Sequence, residues 1–442
     1  MVISLFASGS NGHGQLANET IDDSHIFSTC VFRQHSESKA TFTPQKILQI
    51  ASGGNHTLAL VEGTDSDGGK KTQLWGCGDA SLGQLGPLLD GDVLVFVPID
   101  LQLQQSELAD YYPRLICASW QTTYVVVSCP EKSDCLLSMG SDDFGDLGIG
   151  KPKRKGRAPV GPFRIKFDRL SVDGISLDDL HVVIDSIAAG QHHVVLQMKV
   201  HCRDDSYRQM LTGWGTARHG QLGSLDNSTK TSFISLPRII TTVKAEEIVS
   251  FRLGNQHTAF FLRSKQVVCI GSNKRGQANG MEDLGDVTDV GCTWNGTYVV
   301  KHVSDQTTAI YATGSHSKGQ LGRTLPSNLS NTLPSLAPVE FPFPLSSYRL
   351  LKIACGSEHV LALSSIQSGD SSLSVETQSA TEVWGWGWNE HGNLGINSTD
   401  DVLLPVRIWP PVTSHSEEDF KGKKVVGIWA GCGTSWIAVE ED

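Results

Sequence analysis

The feature that most constrains this chain is repetition. A nine-residue glycine motif occurs seven times, each copy holding a second glycine five positions after the first and then Gln-Leu-Gly or a near variant. The copies are GSNGHGQLA from Gly9, GDASLGQLG from Gly78, GSDDFGDLG from Gly140, GTARHGQLG from Gly215, GSNKRGQAN from Gly271, GSHSKGQLG from Gly314 and GWNEHGNLG from Gly387. A second motif alternates with it, also seven times: an apolar residue, two small residues, Gly, two variable residues, His and an apolar run. IASGGNHTLAL from Ile50, IAAGQHHVVL from Ile187, FRLGNQHTAFF from Phe251 and IACGSEHVLAL from Ile353 keep the histidine. ICASWQTTYVV from Ile116, VGCTWNGTYVV from Val290 and IWAGCGTSWIAV from Ile428 hold Thr122, Gly296 and Thr434 in its place. Repetition also accounts for the 45 glycines, an excess over the roughly 7% of average usage without the every-third-residue spacing of collagen.

Strand periodicity turns the two motifs into one structural unit. The second motif reads as a short apolar strand, a tight turn on glycine and polar residues, and a second strand of β-branched and apolar residues, that is, a hairpin. The first motif follows a third strand, as in QLWGCG at 73–78 or EVWGWG at 382–387, and supplies a glycine loop where backbone must approach closely. A fourth strand is expected in each variable connector. A four-stranded unit cannot bury both faces alone, so units must stack, and stacked twisted sheets around an axis make a propeller. The expected fold is an all-β, seven-bladed β-propeller, a single domain over 1–442 with variable inter-strand loops and about 63 residues per blade. The chain opens on the first motif and ends on the second, so one blade is expected to be split between the termini and closed by pairing of the N- and C-terminal strands.

The motif pair, Gly-x-x-His-[Ser/Thr] with Trp-Gly-x-Asn-x-x-Gly-Gln-Leu-Gly, resembles the regulator of chromosome condensation repeat family. The resemblance covers nearly the whole chain and implies the same propeller. Within that family, WGWGWNEHGN at 384–393 is most similar to the branch of the fungal alpha-tubulin suppressor and the secretion-regulating guanine nucleotide exchange factor.

Composition narrows the function classes. Lys and Arg number 36 against 47 Asp and Glu, a net charge of −11, which argues against a surface built to track nucleic acid or anionic lipid. The ten cysteines are scattered singly without a CxxC pair, so neither a zinc ribbon nor a redox motif is supported and a reducing compartment is expected. The opening MVISLFASGSNGHGQL lacks a basic leader, and no apolar run approaches the roughly 20 residues of a membrane span. The expected localisation is cytoplasmic, extending to the nucleus if KPKRKGR, Lys151 to Arg157, acts as an import signal rather than a solvated loop. Connectors at 18–49, 61–72, 323–349 and 364–381, rich in Ser, Thr, Asp or Gly, are expected to be mobile.

No Walker loop, HExxH helix or GxSxG elbow is present, so no catalytic residue, metal or cofactor is assigned and the chain reads as a non-enzyme. His56, His193, His257 and His359 recur once per blade and read as neutral imidazoles tying a turn to neighbouring backbone, not as a metal or catalytic set. The turn between strands one and two and the loop after strand three are expected on one face, which gathers aromatics among mixed charges, the composition of a protein interface. Trp388, Asn389, Glu390 and His391 are the first candidate partner contacts, with Trp120 and Trp294 next; filling of space between blades is the competing reading of the tryptophans. The branch resemblance implies a regulatory scaffold forming a heterodimer with a small CSL-type zinc protein, in Elongator-dependent tRNA wobble-uridine modification and diphthamide synthesis. The alternative is guanine nucleotide exchange on a small GTPase. Sequence-specific nucleic acid and membrane partners are not expected.

Overall fold

The computed structural model describes residues 2–34, 42–65, 68–150, 162–223, 232–282, 284–304, 307–325, 333–366, 380–411 and 423–441. The fold class is all-β, a seven-bladed propeller whose blades are antiparallel sheets. Blade one is Thr43–Ser52, His56–Thr64, Lys70–Asp79 and Asp92–Pro98. Blade two is Tyr112–Ala118, Thr122–Ser128, Cys135–Gly140 and Phe163–Ile165. Blade three is His181–Ala189, His193–His201, Tyr207–Thr216 and Phe233–Ile239. Blade four has Ile248–Leu253, His257–Leu262 and Val267–Gly271. Blade five is Val287–Thr293, Gly296–Ser304, Thr307–Gly314 and Ala337–Pro338. Blade six is Tyr348–Cys355, His359–Ile366, Thr381–Gly387 and Val402–Trp409. Blade seven joins Lys423–Ala430 and Thr434–Glu441 to Val2–Gly9 and Ser24–Thr29. In it, Val2–Gly9 pairs antiparallel with Thr434–Glu441 along its whole length, so the expected closure is present.

The chain divides into two compact units, one of Met1–Ser10, Asp22–Cys30 and Ala259–Asp442, the other of Asn11–Ile21 and Val31–Thr258. The first unit holds blades five, six and seven, the second holds blades one, two and three, and the boundary falls in the second strand of blade four. Within each unit the core lies between consecutive blades. Leu58, Leu60 and Leu74 of blade one meet Ile116, Val125, Val127 and Leu137 of blade two. Leu361, Leu363 and Val383 of blade six meet Ile428, Ile437 and Val439 of blade seven. Second strands such as TTYVVVS are buried throughout, which is why they are runs of β-branched and apolar residues without alternation.

The connector 18–49 carries an expected fourth strand, Ser24–Thr29 of blade seven, and runs on into Thr43–Ser52, the first strand of blade one. One expectation needs correction. A fourth strand does not occur in every connector, since blade four has three strands among the described residues. The reason is length: only 277–286 separate Gly276 from Val287, against 84–111 between Gly83 and Tyr112 in the blade one connector. The basic run Lys151 to Arg157 lies outside the described residues.

The first strands also carry a feature that patterning did not reveal. The register slips by one residue in six of them, between Ile47 and Gln49, Pro113 and Leu115, Ile184 and Ser186, Val287 and Asp289, Leu350 and Lys352, and Val425 and Gly427. Each is a β-bulge that inserts one residue, bends the strand and increases its twist.

Candidate partner-binding face

The loop after strand three is bound to the turn between strands one and two by one recurring contact. Asp79, Ser141, Thr216, Ser315 and Trp388 donate their backbone N–H to the carbonyls of Asn55, Gln121, His192, Asn295 and Glu358, and Ser10 does so to Gly433. The two variable segments of these blades therefore lie at the same end of their sheets, as the meander requires. The contact explains the first glycine of the motif. Gly387 has φ +103°, and a Cβ there would lie 2.6 Å from the Glu358 carbonyl oxygen.

The loops close on themselves through their polar residues. The Oδ1 atoms of Asn11, Asn273 and Asn389 accept the backbone N–H five residues on, at 2.8 to 2.9 Å. The Oε1 atoms of Gln15, Gln84, Gln221, Gln277 and Gln320 accept the N–H two residues back. Asn389 must accordingly be withdrawn as a contact residue. It is fully buried, and its amide nitrogen donates to the carbonyls of Ser398 and Asp400.

The remaining first-choice candidates form one patch in the unit that holds blades five to seven. The Trp388 indole N–H donates to Glu390 Oε2 at 3.1 Å, and its ring meets His391 edge-on at 5.2 Å between centroids. His391 Nδ1 lies 2.7 Å from Asp23 Oδ2. Trp294 donates its backbone N–H to Ser357, next to Glu358, whose carboxylate accepts from Asn295 at 2.8 Å and Gln320 at 3.0 Å. Burial raises the Glu358 carboxyl above its usual range against the opposing pull of those two amides and of Arg275. Trp388, His391 and Trp294 are half-buried and Glu390 is exposed. The patch thus presents the Trp388 indole, held by Glu390 and His391, beside carboxylates and an imidazole, with the half-buried Trp294 tied by its backbone to the adjoining turn. Asp23 was missed because it lies in the connector 18–49, where no motif marks it.

Trp120 lies in the other unit. It accepts the Gly54 N–H through its carbonyl, its ring covers Gly54, and its own N–H donates to Gln191. It links consecutive blades, and it is half-buried. In the same unit the loop Asp142 to Asp146 puts carboxylates where other copies carry amides. Burial raises Asp142 to about 6, and raises Asp146 against the opposing His192, whose Nδ1 stands 3.4 Å away.

Three of the repeat histidines reach a side-chain hydroxyl that the sequence did not indicate. His56 Nε2 lies 3.0 Å from Thr123 Oγ1, His193 Nε2 3.1 Å from Thr258 Oγ1, and His359 Nε2 3.0 Å from Ser435 Oγ. The bond goes to a hydroxyl on the next blade in the chain, and the expected backbone partner is also present there for His193 and His359, at His257 and Thr434. Thr123 and Thr258 spend their own protons on the carbonyls of Gln84 and Gln221, so the imidazole must donate. Burial lowers His56, His257 and His359 to about 4 and His193 to about 3, so the rings are neutral. Blades two and five lack the histidine, and there Tyr124 and Tyr298 donate to the carbonyls of Asp146 and Gln320.

Among the described residues, His13, Asp79 and Asp92 bring three potential ligand atoms within 4.8 Å of one another. His13 is paired with Asp92 at 2.8 Å, and Asp79 Oδ1 accepts the Ser81 N–H, so both carboxylates have protein partners.

The regulator of chromosome condensation (RCC1) repeat profile matches residues 309–363 and 382–437, which take in the Trp388 loop and the Glu358 turn. These two segments are RCC1 repeats. It is similar to the secretion-regulating guanine nucleotide exchange factor of Bos taurus, 25% identical over 97% of this chain and 81% of that one. It is similar to the RCC1 repeat-containing protein C10F6.04 of Schizosaccharomyces pombe, 25% identical over 99% of both. The solved structure of Prp20p from Saccharomyces cerevisiae, described together with its binding to Gsp1p and histones, covers 100% of this chain and 92% of that one with a TM-score of 0.66 at 16% identity. At that identity the likeness supports the RCC1-type fold and nothing finer.

Proposed function

We propose that this RCC1-repeat protein is a non-enzymatic regulatory scaffold that docks a small partner protein on the patch of Trp388, Glu390, His391 and Trp294. The observation that carries the reading is the Trp388 indole, half-exposed, hydrogen-bonded to Glu390 and braced by His391 and the Asp23 pair. A rigid aromatic among charges loses little conformational entropy on binding, and Trp dominates measured interface hot spots. The partner expected is a small CSL-type zinc protein held as a heterodimer, with the propeller controlling which complexes or electron donors reach its zinc site. The processes served are then Elongator-dependent tRNA modification and diphthamide synthesis. A titration of that zinc protein into the full chain tests the reading. Trp388→Ala is expected to weaken binding by about 2 kcal/mol or more, the hot-spot range. Equal affinity for the variant and the parent would remove the patch from the interface.

One observation favours a second reading. The chain is similar over 97% of its length to a protein named as a guanine nucleotide exchange factor. Under that reading the same patch engages a small GTPase, and the full chain accelerates release of a fluorescent GDP analogue from it.

A further inference from the structure

Blade four ends differently from its neighbours. Its third strand, Val267–Gly271, pairs with His257–Leu262 on one side and forms the edge of the sheet on the other. In blades one, three and six the corresponding edge is covered by a fourth strand with a constant register. Gly78 and Gly76 face Val93 and Val97, Gly215 and Gly213 face Ile234 and Arg238, and Gly387 and Gly385 face Val402 and Val406. Aligned on the motif, Gly271 and Cys269 occupy those two positions in blade four. The described part of its connector, 272–282 and 284–286, holds turns and no strand. Met281 and Leu284 from that stretch are buried with Val267, Val287 and Val290.

Exposure agrees with the topology. The third strands of blades two and six are buried at every position. In blade four only Val267 is buried; Val268, Cys269 and Ile270 are half-buried and Gly271 is exposed. In blade one the Leu74 carbonyl accepts the Ile99 N–H, which fixes the alternation: the backbone groups of Leu74, Gly76 and Gly78 point to the fourth strand. By the same alternation those of Val267, Cys269 and Gly271 point away from the sheet.

We propose that this edge is a strand-acceptor site, where an extended segment of a partner protein pairs antiparallel with Val267–Gly271 and supplies the fourth strand of blade four. The segment carries a β-branched residue opposite Gly271 and a second apolar stem four positions later, opposite Cys269, as Val93 and Val97 or Val402 and Val406 do in their own blades. Main-chain bonds supply the affinity and the two side chains the selectivity, the usual division in strand addition. The site is independent of the Trp388 patch, and either can fail without the other.

The test uses the full chain and a synthetic peptide with the sequence of residues 91–99, GDVLVFVPI, as the probe. In the free protein at low concentration, the Cys269 and Gly271 amides should exchange hydrogen much faster than those of Gly76 and Gly385, which are covered. Addition of the probe should slow them on the order of tenfold or more, a gain of about 1.4 kcal/mol. Cys269→Pro removes the outward N–H while leaving the inner pairing intact, and edge strands accept proline in that orientation. The variant should keep the parent's thermal midpoint within a few degrees and lose probe binding. If it unfolds instead, exchange on the parent chain still decides. Slow exchange at Cys269 and Gly271 in the free chain, or no protection by the probe, would overturn the proposal. Protection that rises with protein concentration alone would also overturn it, by making the occupant a second copy of this chain.

Discussion

His56 and His193 each donate to a hydroxyl of the next blade, His359 shares a hydrogen bond with the Ser435 hydroxyl of its next blade, and burial keeps each ring neutral. The consequence for pH has a definite sign. Their folded-state values, about 4, 3 and 4, lie below the 6.5 of an unfolded chain, so between these limits the unfolded state holds the extra protons. Stability is therefore present above about pH 6.5 and falls as pH drops toward 4, on the order of 1 kcal/mol per pH unit for each ring. Urea midpoints measured between pH 7.5 and 4.5 should fall steadily, and a flat profile would contradict this account of the rings. Asp142 acts in the opposite sense, because its folded-state value of about 6 lies above the ordinary 3.8. Asp142→Asn should stabilise the protein at pH 7 by on the order of 1 kcal/mol once solvent screening is allowed for, with the gain shrinking as pH falls through 6. Recurrence of the histidines was legible in the sequence and argued correctly for one structural role per blade. Their hydroxyl partner was not, since Thr123 lies 67 residues from His56 and only stacking of blades brings the two together.

At the scale of the element, the glycine motif is a clamp between the third-strand loop and the hairpin turn. Gly387→Ala would place a Cβ 2.6 Å from the Glu358 carbonyl at φ +103°. It should cost at least about 1–3 kcal/mol in unfolding experiments and also displace Trp388, whose N–H is bonded to that carbonyl. The closing strand makes a second prediction. Val2–Gly9 lies between Thr434–Glu441 and Ser24–Thr29, so deleting residues 1–9 strips a central strand from blade seven and leaves the Thr434–Glu441 edge open. The truncated chain should melt well below the parent and aggregate on heating, as judged by light scattering, and an unchanged melting temperature would contradict the closure. Strands two and three were legible because their apolar runs are bounded by motif glycines. Fourth strands were legible only as a slot in the unit, and blade four shows the limit. The span between Gly276 and Val287 was the available signal, but a repeat argument that assumes equivalent units does not weigh connector length. The bulges in the first strands left no sequence mark, because the inserted residues Leu48, Arg114, Asp185, Thr288, Leu351 and Val426 share no chemistry.

For the molecule as a whole, alternation of two motifs defined the fold class, since short strands that cannot bury both faces alone must be stacked and closed. Function was less legible, because the motif residues that draw attention are mostly used inside the repeat. Asn389 illustrates this: it stands between two surface residues in WNEH, yet its amide is spent on Ser398, Asp400 and Leu394. Trp388, Glu390 and His391 are the loop residues we propose for a partner, and Asp23 joins them from a connector with no motif. The central claim is that this patch docks a small protein. It is tested most directly by capturing the tagged full chain from its own cells beside a Trp388→Ala, Glu390→Ala double variant that melts at the same temperature. The account predicts that the parent recovers a small zinc-binding protein with diphthamide or Elongator components and that the variant loses it. Equal recovery by both chains would contradict the claim.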